Sequence, residues 1–210
     1  MEKLKSSITN MVLVLTGVAV ITGCILAYVN HITEQPIALQ KQKTLEDGIK
    51  AVMGGGALTV TKTDTVRQND AKGKELTYVI YQTQDAQHTD LGAAVESTTG
   101  GFGGNLKVLV GFDPAGNILG YTLLEHAETP GLGAKADAWF QKGQKGDIIG
   151  KNPSEPLVVS KDGGQVDAIT ASTITSRAFL LAVNNAYKAY KATPVDGVSG
   201  ATPKSVEKAQ

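Results

Sequence analysis

LKVLVGFDPAGNILGYTLLEH, residues 106–126, decides the fold class. Two apolar runs, Leu106 to Phe112 and Ile118 to Glu125, flank Asp113-Pro114-Ala115-Gly116-Asn117. Asp, Pro, Gly and Asn each favour turns for a different physical reason, so the segment predicts a β-hairpin. Upstream, Glu75 to Gln84 (ELTYVIYQTQ) predicts a strand, and Ser97 to Gly104 a Gly/Thr loop. Downstream, Leu157-Val158-Val159 predicts a short strand. Helical spacing occurs on both sides. Pro36 marks a helix start, and Leu45, Ile49 and Val52 recur at i, i+4 and i+7 before the stop at Gly54-Gly55-Gly56. Ala134 to Phe140 predicts a short helix. From about Ser176 to Tyr190, the residues Phe179, Val183, Ala186, Tyr187 and Tyr190 share one helical face. Strands and helices in irregular order predict a single α+β domain.

The N-terminus reads differently. No charged side chain occurs from Ser6 to Asn30, and Met11 to Val29 is apolar with no polar stripe. As a helix that core spans roughly 28 Å, about the thickness of a bilayer's hydrocarbon layer. Tyr28 suits the membrane–water interface. Lys3 and Lys5 precede the span and the next lysine is Lys41, which predicts a cytoplasmic N-terminus and a domain on the outer side of a bacterial inner membrane. Two other readings stay open: a cleaved signal peptide, and a lipoprotein processed at Ile21-Thr22-Gly23-Cys24. The predicted organisation is 1–30 for the cytoplasmic end and transmembrane helix, 31–192 for the domain, and 193–210 for a polar tail.

Composition narrows the chemistry. The 210 residues carry 20 Lys+Arg and 20 Asp+Glu, so a formal charge of zero argues against nucleic acid as a partner. One cysteine and three scattered histidines offer no metal-site or iron–sulfur spacing. Redox chemistry here would need a borrowed organic cofactor.

Asp167 to Thr175 (DAITASTIT) runs directly into the last predicted helix. Hydroxyls at Thr170, Ser172, Thr173 and Thr175 at a helix start suit either an anion or an ordinary N-cap. Asp167-Ala168-Ile169-Thr170-Ala171-Ser172-Thr173 resembles the D-x-x-[S/T]-G-A-T pattern of the FMN-binding domain family, with Ala171-Ser172 in place of Gly-Ala. HAETPGLG, residues 126–133, resembles the family's second signature, and GGFGGNLKVLVGF resembles the segment leading into it. The branch it resembles serves ion-translocating electron-transport complexes of the ferredoxin/NAD type and sodium-translocating NADH:quinone oxidoreductases.

The resemblance implies FMN joined through its phosphate to Thr173, with Asp167, Thr170, Ala171, Ser172 and Thr175 around the attachment point. It implies Glu128, Thr129, Gly131, Leu132 and Gly133 beside the flavin, their amides and side chains bonding or covering the ring. The implied partners are other membrane subunits, the bilayer and a flavin transferase. The implied role is a redox subunit that relays electrons while its partners move Na⁺ or H⁺. Asp196 to Thr202 (DGVSGAT) is a closer copy of the pattern, which makes Thr202 a rival acceptor, although no amphipathic helix follows it. The alternative function is a flavin-free, membrane-tethered assembly subunit, or a lipoprotein binding module.

Overall fold

The computed structural model describes residues 8–69 and 75–192. Lys3, Lys5 and the rival acceptor Thr202 lie outside the described residues. The chain divides into two compact units after Thr44. The first unit is helical. Its helix, α1, runs from Ile8 to Val52, so its last turns belong to the second unit. Pro36 lies inside α1 rather than at a start. Proline takes its own N–H out of the ladder and crowds the carbonyl four residues earlier, and the good helix formers around it carry the helix through that cost. The large apolar side chains of the first unit, such as Leu13, Leu15, Ile21 and Leu26, are exposed. This stretch is long and apolar enough to cross a membrane. Cys24 is a free thiol within the uninterrupted helix.

The second unit is α+β. Five strands, β1 (Leu58–Asn69), β2 (Glu75–Asp85), β3 (Asp90–Gly100), β4 (Asn105–Phe112) and β5 (Ile118–His126), form an antiparallel sheet in chain order. The β4–β5 turn is built by Asp113, whose carboxylate accepts the N–H groups of Gly116 (2.7 Å) and Asn117 (2.8 Å). A four-residue helix, α2 (Ala136–Trp139), and a long helix, α3 (Thr173–Tyr190), complete the unit.

Side-chain alternation on the strands makes two apolar faces. Ile80, Ala93, Val95, Val108, Val110 and Phe112 pack with Phe179, Val183 and Ala186 of α3. Ala94 and Leu109 point the other way and meet Ile49, Val52 and Met53. Phe179 is the aromatic centre. Phe140 stacks on it at 4.3 Å between centroids, and Tyr121 meets it edge-on at 4.7 Å. Farther along α3, Tyr187 and Tyr190 both contact the Phe112 ring.

Several expectations shift. The loop expected from Ser97 begins only at Gly101, because Ser97, Thr98 and Thr99 continue the pairing of β3 with β4. Leu157 to Val159 forms an isolated parallel bridge, Val159 to Val166, in place of a strand. The helix expected from Ala134 is a 3-10 turn, Gly133–Lys135, followed by α2. α3 begins at Thr173, three residues before the expected Ser176.

Candidate functional site

The start of α3 gathers most of the hydroxyls singled out from sequence. Ser172 occupies the N-cap position, yet its side chain makes no cap hydrogen bond. The ordinary N-cap role is therefore not filled, and the leading amides of α3 have no side-chain acceptor there. Instead, the Ser172 hydroxyl lies 3.0 Å from the Thr175 hydroxyl, which donates to Glu128 Oε2 at 2.7 Å. Ser176 Oγ accepts the Ile169 N–H (2.9 Å) and donates to the Ser172 carbonyl (3.0 Å), closing the turn before the helix.

Glu128 ties three segments together. It is 6% exposed. Its Oε1 accepts the N–H groups of Phe102 (2.8 Å) and Gly103 (3.2 Å), while Oε2 takes the Thr175 proton. A buried carboxylate is tolerated only when its oxygens are bonded in this way. The surrounding glycines follow from it. A Cβ on Gly101 would collide with Oε1, and one on Gly133 would collide with Oε2 and the Thr175 hydroxyl. Glu128 thus holds the Gly101–Gly104 loop, the residue 126–133 segment and the start of α3 in one place.

Ala171 explains the family's pattern in physical terms. Its φ is +61°, in the left-handed region that favours glycine. The residue has kept the backbone shape that a glycine would adopt without strain. Thr170 and Ala171 are exposed, and Thr173 is half-buried. Lys161 Nζ donates to Thr173 Oγ1 at 3.2 Å. Asp167 stands apart: its carboxylate accepts the Ser160 hydroxyl (3.0 Å), and its carbonyl accepts the Trp139 indole N–H (2.8 Å).

In the second signature, Thr129 turns the backbone, its carbonyl accepting from the N–H groups of Leu132 (3.1 Å) and Ala134 (3.2 Å). Thr129 and Gly131 are exposed, Leu132 is 42% exposed, and Gly133 is buried. Phe102, next to the Glu128-bound amides, is 69% exposed. Two apolar side chains therefore stand in solvent on segments joined by Glu128.

Sequence reasoning missed Lys161 and the pair Asp162–Arg177. Arg177 Nε and Nη2 reach the two Asp162 oxygens at 2.7 and 2.6 Å. The Arg177 guanidinium beside it holds the Asp162 carboxyl below the usual carboxylate range. A lysine flanked by an acid in a loop gives no periodic signal, so nothing in the sequence marked this turn. No group of three or more His, Cys, Asp or Glu among the described residues is arranged to hold a metal ion.

Similarity to known proteins covers the same geometry. A family model described as an FMN-binding domain matches residues 101–188, from the Glu128-bound loop into the last turn of α3. The chain is 33% identical over 172 residues to the G-subunit of an ion-translocating oxidoreductase complex from Vibrio vulnificus, covering 78% of this chain and 80% of that protein. The chain belongs to this G-subunit family. The Shewanella baltica relative is 34% identical over 176 residues, covering 80% of this chain and 82% of its own length. The Aliivibrio fischeri relative is 38% identical over 131 residues, and there the chain spans 61% of the relative's length.

Proposed function

We propose that this chain is a membrane-anchored electron-relay flavoprotein, a redox subunit of an ion-translocating oxidoreductase complex, with FMN ester-linked through its phosphate to Thr173. The carrying observation is the Thr173 hydroxyl at an uncapped helix start with a lysine ammonium against it. Uncapped amides and the positive end of the helix dipole favour a phosphate. The residues fit the rest of the group too: exposed Leu132 and Phe102 offer apolar surface to a flat ring, and the amide of Gly131 lies on an exposed turn. Bound there, FMN supplies the redox chemistry that the side chains lack.

Attachment balances as a phosphoryl transfer. The Thr173 oxygen forms a bond to phosphorus and its proton goes to a base. A pyrophosphate bond of a flavin dinucleotide breaks, and a nucleoside monophosphate leaves. No electron moves, and the diester keeps one negative charge. A flavin transferase would supply this step. The tether keeps the cofactor in a compartment where free flavin is too dilute to hold a reversible site occupied.

The membrane placement extends this reading. The apolar stretch within residues 1–30 crosses the inner membrane with the N-terminus in the cytoplasm, and the α+β unit that begins at Leu45 lies on the opposite side. Other membrane subunits provide the ion path, because one span cannot. The flavin-free assembly alternative rests on Ala171 in place of glycine, and Ala171 adopts the glycine-like backbone. The test is to express the chain with a flavin transferase, denature it and view the gel under ultraviolet light. Wild type should fluoresce and Thr173→Ala should not. A dark wild-type band, or a signal lost only in Thr202→Ala, overturns the assignment.

A further inference from the structure

We propose that Lys161 is a binding residue for the flavin phosphate, its ammonium held against the acceptor oxygen by the turn that Asp162 and Arg177 lock onto α3. The proposal rests on the reading of Thr173 as the attachment residue.

The turn is rigid for local reasons. The Ser160 N–H donates to the Val166 carbonyl at 2.8 Å, and the Asp162 N–H to the Val159 carbonyl at 2.9 Å. Val159 and Val166, each 1% exposed, anchor its two ends in the core. Arg177 lies one helical turn beyond Thr173, hence on the same side of α3. Its two-pronged bond to Asp162 sets the turn beside that face, and Lys161, the residue between Ser160 and Asp162, reaches Thr173.

Charge makes the case for an anion. Asp162 is committed to Arg177, and Asp167 to the Ser160 hydroxyl. Glu128 is filled by two amides and Thr175. The Lys161 ammonium meets a neutral hydroxyl instead of a carboxylate. It does so at the positive end of a helix whose first turn has no acidic residue. A cation there is repelled by the dipole, the reverse of the usual pattern. A phosphodiester on Thr173 would turn this unfavourable arrangement into a charge-assisted hydrogen bond.

The experiment uses the full chain in membranes, co-expressed with a flavin transferase, and follows covalent flavin per protein by intact mass over time. Lys161→Ala should load about tenfold more slowly, the scale of one hydrogen bond to a charged group. Lys161→Arg should load close to wild type. The flavin-free melting temperature of Lys161→Ala should be no lower than wild type, while loading should raise it less in Lys161→Ala than in wild type. Wild-type loading by Lys161→Ala overturns the proposal but leaves Thr173 as acceptor. So does an arginine variant no better than alanine, or a flavin-free Lys161→Ala that melts lower in step with its loading. Flavin retained by Thr173→Ala overturns both.

Discussion

The two ends of α3 are held by different physics. From Ala178 onward the helix is mostly buried apolar surface, with Phe179, Leu180, Ala182 and Val183 at 2% exposure or less, and directional ties such as the one from Asn184 to the Leu157 backbone. Its first turn is a set of hydroxyls and charges, with Thr175 on Glu128, Arg177 on Asp162 and Lys161 on Thr173. Apart from such ties, non-directional packing secures the far end wherever volumes fit. Directional bonds secure the near end only at particular positions, which is what the proposed attachment site needs.

The largest effect should come from the packed end. Phe179→Ala removes the ring between Phe140 and Tyr121 and should cost about 3–5 kcal/mol in chemical denaturation. At the bonded end, Glu128→Ala strands two amides and a hydroxyl and should cost about 2–3 kcal/mol. Glu128→Gln should cost less than half of that, since an amide oxygen still accepts. A loss from Glu128→Ala as large as that from Phe179→Ala would erase the distinction. Acid should loosen the first turn, as it should the Asp113 turn between β4 and β5. The folded-state value of Asp162 is depressed by Arg177, so its stabilisation is complete above about pH 4, the unfolded carboxylate value, and fades as pH falls through the lower folded value. Arg177→Met should flatten that part of the stability–pH curve measured by thermal melting. The smallest effect has the opposite sign: Ala171→Gly relieves a left-handed alanine and should stabilise by about 0.5–1 kcal/mol, or about 2–3 °C in melting temperature.

Much of this was visible in the sequence because it is local. The β4–β5 hairpin is a turn signal between two apolar runs, and α3 shows its buried face by spacing alone. Two strands were hidden for physical reasons. β1 is largely exposed and Thr-rich, and only its second half alternates, between half-buried and exposed residues. β3 is built from Gly, Ala, Ser and Thr, whose small side chains fit under α3 but look like a loop in a linear reading. The site divides the same way. Thr173 and the second signature were legible as motifs. Glu128 as a tie was not, because its partners lie 26 residues before it and 47 after it. The carboxylate suspected of touching the ring has all of its described bonds to two backbone amides and Thr175.

The chain-order sheet has a consequence for biogenesis. Each strand can pair with its predecessor as soon as it emerges, so the sheet needs nothing from later sequence. α3 comes after all of them, and its buried face has nothing to rest on until they are paired. If Thr173 takes the flavin as proposed, a correctly formed turn there is a certificate of completed folding for the enzyme that attaches it.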